Sequence, residues 1–163
     1  MVFQYYPGCT LRTKAKELDR KARRAAEALG VTLTEVPEWQ CCGGAYTTAV
    51  NETATKLSAV RVLLAAKQLD RPLITVCSAC HNVIKQTNYD IIHNETVASK
   101  VNNYLGLEIP YKGETKIYHY LEMLRDVIGF DKLAEKVVKP FKGRKIAAYY
   151  GCLLLRPSKA LAM

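Results

Sequence analysis

The spacing of hydrophobic residues along the chain changes between the short, alternating pattern of strands and the three-to-four-residue repeat of helices. Each change marks a predicted element. Residues 2–6 are predicted to be a strand because they are β-branched and aromatic. Residues 31–36 alternate apolar and polar positions, which predicts a strand with one wet face near a sheet edge. Residues 73–76 are a short apolar run, typical of a buried parallel strand.

Between these strands, apolar residues recur every three or four positions, the period of an amphipathic helix. This pattern predicts a helix over 12–29, closed by Gly30, and a helix over 52–69, capped by Asn51. A further helix is predicted to begin directly after the strand at 73–76. Two more are predicted over 94–105, ended by Gly106, and over 115–128, ended by Gly129. Strands alternating with helices predict an α/β fold with a mostly parallel, Rossmann-like sheet flanked by helices.

The end of the chain resembles its beginning. The run Tyr-Tyr-Pro-Gly-Cys-Thr-Leu-Arg at 5–12 is echoed by Tyr-Tyr-Gly-Cys-Leu-Leu-Leu-Arg at 149–156. The second run follows a predicted strand at 145–150 and precedes a predicted helical stretch, as the first run does. We therefore expect one domain over residues 1–140 and the start of a second, similar domain over residues 141–163.

Composition narrows the class of protein. Hydrophobic residues make up 49% and charged residues 24% of the 163 residues, which is typical of a globular protein and excludes disordered and collagen-like classes. No apolar run is long enough for a predicted membrane span. The net charge of +9 is concentrated at the two ends of the chain. Basic ends are suited to binding an acidic partner or an anionic ligand, or to lying exposed in water. The sequence contains no motif of the usual nucleic-acid-binding kinds.

Cysteines carry the candidate chemistry. The first residues show no basic stretch followed by an apolar one, so we expect no export and a cytoplasmic location. Thiols stay reduced there, which favours a metal or redox role over structural disulfides. The six cysteines are Cys9, Cys41, Cys42, Cys77, Cys80 and Cys152.

The first five cysteines fall in three groups, each where a predicted strand gives way to a helix. Because the carboxyl ends of parallel strands share one edge of a sheet, we expect five thiols to meet in one crevice. Helix N-termini there favour anionic thiolates, and Gly8, Gly43 and Gly44 let backbone N–H groups approach sulfur. An iron–sulfur cluster suits this environment, and five thiols exceed the four that a cubane cluster uses. An unusual cluster or one spare thiol is expected.

The pattern Cys9-x31-Cys41-Cys42-Gly-Gly-x32-Cys77-x-x-Cys80 resembles the cysteine-rich "CCG" domain. That domain is shared by the B subunit of CoB–CoM heterodisulfide reductase, an enzyme of methanogenesis, and by iron–sulfur subunits of glycolate and lactate oxidation. The Tyr-Tyr-Pro-Gly-Cys start is most similar to the heterodisulfide reductase B subunit, and the resemblance covers the whole chain.

The resemblance implies a non-cubane [4Fe–4S] cluster held by the five clustered cysteines, with Cys152 as first ligand of a second, incomplete site. It implies a disulfide reductase in which two clusters each deliver one electron to one sulfur of the CoM-S-S-CoB disulfide or a related one. The second Cys-Cys and Cys-x-x-Cys pairs are missing from these 163 residues, so this polypeptide is expected to supply only part of that reaction. The implied partners are an iron–sulfur subunit and an anionic thiol or disulfide substrate.

Other interpretations of the cysteines remain open. Four thiolates also suit structural zinc, and a one-site electron-transfer or structural module of another oxidoreductase would carry the same pattern. Cys77-x-x-Cys80-His81 matches the c-type haem attachment motif, and a Cys-x-x-Cys between strand and helix suits a thioredoxin-like dithiol, but both leave the other cysteines unused. Cys152 alone would suit a buried, inert position.

Aromatic residues and histidines have two interpretations each. Trp39 and the tyrosine pairs at 5–6 and 149–150 either shield a cluster from water or fill the core of the strands. His119, on the helix predicted over 115–128, is either a proton donor or a hydrogen-bonded or surface histidine. The second interpretation is favoured for His119, and for His81 and His93 as well.

Overall fold

In the computed structural model, residues 1–44, 52–149 and 151–161 are described. Asn51, the predicted helix cap, and Tyr150, in the last predicted strand, lie outside these residues. The strands are β1 (Val2–Tyr5), β2 (Thr32–Glu35), β3 (Leu73–Thr75) and β4 (Ile117–His119). The longer helices are α2 (Lys16–Ala28), α3 (Glu52–Gln68), α4 (Ser78–His93) and α5 (Glu95–Leu105). The short ones are α1 (Gly8–Arg12), α6 (Tyr120–Glu122), α7 (Phe130–Glu135) and α8 (Ser158–Leu161), with a π-helical turn Met123–Ile128 and a 3₁₀ turn Cys152–Leu154.

The four strands form one parallel sheet in the order β2-β1-β3-β4, with helices on both faces. Phe3 and Tyr5 of β1 pack with α2 and the start of α6 on one face. Tyr6 packs with α3, α4 and α5 on the other. The predicted α/β fold is therefore confirmed, and β2 lies at a sheet edge as its alternation predicts.

The strand order fixes where a site can form. The chain runs from β1 outward to β2 and then crosses back over β1 to β3. The connections after β1 and β3 therefore leave the sheet on opposite sides, which opens a crevice at the carboxyl ends of these two neighbouring strands. In this fold the chain segments that directly follow Tyr5 of β1 and Thr75 of β3 lie at this crevice.

One predicted helix is wrong over part of its length. Residues 117–119 form β4 instead of the first turn of a helix over 115–128. Leu73 of β3 pairs with Ile117, so the strand satisfies backbone groups that β3 would otherwise leave unpaired at its open side. Tyr118 also packs edge-on against Phe3 of β1, with ring centroids 5.8 Å apart. Tertiary pairing overrides the local helical pattern here, and the helix begins only at Tyr120.

The predicted helix over 12–29 is interrupted. The Thr13 hydroxyl donates to the Cys9 carbonyl, 2.8 Å away, and closes α1 before α2 begins at Lys16. Gly30, with a φ of +75°, ends the second helix as predicted.

The last predicted strand is not formed in its described part. Residues 145–149 are exposed and lie outside any strand. A strand needs a neighbour to pair its backbone N–H and C=O groups, and residues 145–149 pair with none of the four strands of the described sheet. Residues 151–161 instead pack against α4, burying Leu154, Ala160 and Leu161.

Candidate metal centre

Three loops bring the five clustered cysteines to the crevice between β1 and β3. Cys9 lies in α1 directly after β1, and Cys41 and Cys42 lie in the loop that follows β2. Cys77 ends the turn after β3, and Cys80 lies in the first turn of α4. Residues up to 71 positions apart in the sequence therefore share one site, as expected from the strand–helix junctions.

The sulfur atoms make direct contacts. Cys9 Sγ and Cys41 Sγ are 3.4 Å apart, and both side chains are exposed. Cys42 Sγ and Cys80 Sγ are also 3.4 Å apart, and both are buried. Cys77 is half-buried and is hydrogen-bonded to Cys80. The array thus has an open rim, formed by Cys9 and Cys41, and a more closed floor, formed by Cys42, Cys77 and Cys80.

Hydrogen bonding gives the floor thiolate character. The Cys80 thiol donates to Cys77 and lowers the pKa of Cys77 to about 6, helped by the backbone N–H groups of Cys80 and Ala79. The Cys80 thiol also lowers the pKa of Cys42 to about 7, helped by the Gly44 N–H. The hydrogen bonds with Cys42 and Cys77, followed by burial, raise the pKa of Cys80 itself. Thiolates are the form of cysteine that binds metal, so two of the floor sulfurs are prepared as ligands.

At the rim, the effects that raise the pKa of a thiol outweigh those that lower it, unlike at Cys42 and Cys77. The Gly43 N–H stabilises the Cys41 thiolate, but partial burial and the adjacent Cys9 thiol together leave the pKa of Cys41 raised. The rim therefore favours protonated thiol at Cys41 in the absence of a cation.

Glycine makes room for the array. A Cβ placed on Gly8 would lie 2.7 Å from Cys80 Sγ, well inside van der Waals contact, and the φ of Gly8 is +72°. A Cβ on Gly44 would lie 3.6 Å from Cys42 Sγ. Only glycine fits the first of these positions without a shift of the floor sulfur.

These residues fit an iron–sulfur cluster. The donor set consists of thiolates, backbone N–H groups face the sulfurs, and glycine lets backbone approach closely, all of which suit a cluster with bridging sulfides. No group of three or more His, Cys, Asp or Glu side chains within residues 1–44, 52–149 and 151–161 is arranged around one point as a single ion requires.

Aromatic residues line the floor. Tyr6 is fully buried, and its hydroxyl donates to the Gln40 carbonyl at 2.7 Å, just before the Cys-Cys pair. Trp39 packs edge-on against Tyr6, with ring centroids 5.4 Å apart. Burial, followed by the charges of the neighbouring thiolates, raises the pKa of Tyr6, so it stays protonated. Tyr6 therefore belongs to the core, as one of the two interpretations predicts, and lies next to the buried sulfurs.

A carboxylate that the sequence does not single out ties the rim together. Glu35, at the end of β2, accepts hydrogen bonds from Arg12 of α1 and from Trp39 in the Cys-Cys loop. It also accepts from Arg23 of α2 at 2.9 Å. The element bearing Cys9 and the loop bearing Cys41 are therefore fastened to one side chain. No motif marks Glu35, because its partners are brought together only by the fold.

Buried histidines lie next to the floor. His119 donates from Nε2 to the Val76 carbonyl at 3.0 Å and accepts the Leu121 N–H at Nδ1. Burial lowers the pKa of His119 to about 4, so it is neutral at pH 7. It is a hydrogen-bonded core histidine, as favoured from the sequence. His81 is fully buried beside it, with ring centroids 5.3 Å apart.

Glu122 connects these histidines to the end of the described chain. Its Oε2 lies 3.0 Å from His81 Nε2, within ion-pair distance, although among the described residues neither His81 ring nitrogen has an aligned hydrogen-bond partner. Lys85 donates to Glu122 and to the Leu161 carbonyl. Despite burial, the neighbouring His81, Lys85 and the backbone N–H of His119 lower the pKa of Glu122 to about 2. The network fastens α8 to α4.

Cys152 is apart from the five-thiol array. It is exposed, and it lines a shallow pocket with Tyr149, Leu155 and Arg156. Asn82 of α4 donates to the carbonyls of Leu153 and Arg156, both at 2.7 Å, and so fixes the position of the turn that carries Cys152. The structure does not bring Cys152 together with another thiol of the described residues.

The CCG cysteine-rich domain family matches residues 3–85, which is just over half of the chain. The chain belongs to this family. The matched residues contain all five clustered cysteines and the β1-to-α4 framework that positions them.

Curated relatives extend the similarity beyond the matched domain. The chain is 31% identical over 160 residues to the 8-methylmenaquinol:fumarate reductase membrane anchor subunit of Wolinella succinogenes, covering 98% of this chain and 55% of that protein. It is 26% identical over 158 residues to the B subunit of the ferredoxin/F(420)H(2)-dependent CoB-CoM heterodisulfide reductase of Methanosarcina acetivorans, covering 94% and 52%. The B subunit of the ferredoxin:CoB-CoM heterodisulfide reductase of Methanosarcina mazei is 26% identical over 156 residues, covering 93% and 51%.

The chain spans about half the length of these relatives. All three are named as reductase subunits, two of them of CoB-CoM heterodisulfide reductases and one of a fumarate reductase. Although that relative is called a membrane anchor, none of the helices in the described part of this chain has both the length and the hydrophobicity to cross a bilayer.

Proposed function

We propose that this chain is the N-terminal part of an oxidoreductase subunit that holds one non-cubane [4Fe–4S] cluster through Cys9, Cys41, Cys42, Cys77 and Cys80. The convergence of these five thiols at the crevice between β1 and β3 carries the proposal. When bound, such a cluster supplies one-electron chemistry at thiolate-ligated iron. Zinc is the competing occupant, because thiolates bind it as well.

The chain's own residues would prepare the site in three ways. Cys77 and Cys42 present thiolate character near neutral pH. Tyr6 keeps water away from the floor. Glu35 holds the two rim segments in place.

For the substrate, we propose a disulfide, either CoM-S-S-CoB or a related one. The support is the similarity to heterodisulfide reductase subunits and the exposed rim at Cys9 and Cys41, which leaves one side of the site open to a ligand. The reaction would need a second CCG domain, for which residues 141–163 would be the start and Cys152 the first ligand. It would also need an iron–sulfur partner subunit that supplies electrons, and we place the assembly in the cytoplasm.

The second candidate is an electron-transfer or structural module that binds no disulfide. The 31% identity to a fumarate reductase subunit supports it.

The test is anaerobic reconstitution of the full chain with iron and sulfide, followed by one-electron oxidation and EPR with and without a low-mass thiol. A new signal that changes when the thiol is added supports a thiol-binding site. A signal that is identical with and without thiol supports the electron-transfer module. Reconstitution that yields only zinc-loaded protein contradicts both cluster proposals.

A further inference from the structure

Two exposed thiols on the rim are already in contact. Cys9 Sγ and Cys41 Sγ are 3.4 Å apart, although the residues are 32 positions apart in sequence. A disulfide bond is about 2.05 Å long, so the two sulfurs need to approach by little more than an ångström. Glu35 bonds to Arg12 and to Trp39, and so keeps both cysteine-bearing segments in this register.

The other sulfur contacts are less accessible. Cys42 and Cys80 are buried, and Cys77 is half-buried with Cys80 as its hydrogen-bond partner. Thiol–disulfide exchange requires in-line access of a thiolate to the incoming disulfide, so reaction rates follow exposure. A disulfide in solution can reach the rim without any opening of the fold, whereas Cys80 is covered by Gly8 and Cys42.

From this geometry we infer a further activity: in the metal-free protein, Cys9 and Cys41 form a dithiol–disulfide couple that reduces low-mass disulfides by thiol exchange. One rim thiolate attacks a sulfur of the disulfide RSSR, forms a mixed disulfide and releases one RSH after protonation. The second rim thiolate then attacks the protein sulfur of the mixed disulfide and releases the other RSH. The net change is two protein thiols and RSSR giving the Cys9–Cys41 disulfide and two RSH.

The inference of a Cys9–Cys41 couple rests on the distance between the two thiols and does not require the proposed cluster. It has a consequence for that cluster, because an oxidised rim would withhold two of the five sulfurs from iron. A chain with the Cys9–Cys41 disulfide would load iron only after reduction, so the rim would control loading of the site by the thiol–disulfide balance around it.

The test uses the metal-free full chain with Cys152→Ser, because Cys152 is a third exposed thiol that would form its own mixed disulfide. The reduced protein is titrated with glutathione disulfide under argon, quenched with acid, alkylated and mapped by mass spectrometry. We expect two glutathiones released per chain and a Cys9–Cys41 linkage formed while Cys42, Cys77 and Cys80 are still alkylated as thiols.

Single variants locate the two steps. With Cys9→Ser or Cys41→Ser added, reaction should stop at a mixed disulfide on the remaining rim thiol, with one glutathione released. The inference is overturned if Cys77–Cys80 or Cys42–Cys80 is the first linkage, or if the parent protein stops at stable mixed disulfides on Cys9 and Cys41. The parent protein alone gives this answer, should a variant fail to fold. If the linkage forms and the chain, once reduced again, takes up no iron, the couple stands and only the cluster is contradicted.

Discussion

Two similar sequence runs in this chain, 5–12 and 149–156, differ in the structure of their described residues. Tyr5 in the first run is fully buried in a strand with neighbours on both sides, and Cys9 meets another thiol. Tyr149 in the second run is 98% exposed, residues 145–149 lie outside any described strand, and Cys152 meets no described thiol. A strand-turn-cysteine motif therefore joins a cluster of thiols only where other strands flank it and other loops bring further thiols.

The largest difference between the runs is expected in iron binding. Cys77→Ser removes a thiolate from the floor of the first site, so we expect iron in the reconstituted protein to fall to near zero. Cys152→Ser lies in the second run and should leave the iron content unchanged. Iron and sulfide analysis of the two variants beside the parent chain measures this. Equal losses in both would mean that Cys152 belongs to the first site and that the two runs are not independent.

Matched glycines give the next largest effect. Gly8→Ala combines a φ of +72° with a contact of 2.7 Å to Cys80 Sγ, so we expect the free energy of unfolding to fall by about 2–4 kcal/mol. Gly151→Ala has a φ of +51° but meets no described atom within 4 Å, so only backbone strain of about 1–2 kcal/mol is expected. Urea denaturation of the metal-free proteins compares them. A Gly8 variant as stable as the Gly151 variant would show that the close approach to sulfur is not required.

Acid should loosen the network that fastens α8, just after the second run, to α4. The folded-state pKa of His119 is lowered from 6.5 to about 4, so its contribution is present above pH 6.5 and is lost as the pH falls toward 4. That of Glu122 is lowered from 4.5 to about 2, so its contribution is lost between pH 4.5 and 2. Each is expected to contribute roughly 2–3 kcal/mol.

Denaturation curves measured from pH 7 to pH 2 record both losses of stability. The Glu122→Gln variant distinguishes the loss due to Glu122 from the loss due to His119. This variant should lack the loss below pH 4.5 and keep the loss between 6.5 and 4. Because Lys85 bonds both Glu122 and the Leu161 carbonyl, hydrogen exchange in residues 151–161 should rise in the variant. Unchanged exchange there would show that the segment is held by Asn82 alone.

The smallest effect concerns the paired tyrosines. The buried Tyr5 hydroxyl donates to Asp19 Oδ1 at 2.6 Å, so Tyr5→Phe should lower the free energy of unfolding by about 1–2 kcal/mol. Tyr149→Phe should change it by less than about 0.5 kcal/mol, since Tyr149 is exposed. Thermal or urea denaturation of the pair measures both. A larger loss at Tyr149 would indicate that it is covered in solution.

The sequence predicts most of the framework because the signals are local. Apolar runs mark β1 and β3, glycines mark helix ends, and strand–helix junctions mark where the cysteines meet. It does not predict β4, because Ile117 and its neighbours become a strand only through pairing with β3. It does not predict Glu35 as a tie between the rim segments either, since its three partners come from different elements. Long-range pairing and polar contacts leave no periodic signature.

The central claim is that the five clustered thiols hold an iron–sulfur cluster, and metal content tests it most directly. Anaerobically reconstituted full chain carrying Cys152→Ser should contain about four iron and about four acid-labile sulfide per chain, the content of one [4Fe–4S] cluster. The Cys152→Ser change ensures that any iron found is bound by the clustered thiols. About one zinc per chain, with no iron retained after reconstitution, would contradict the claim.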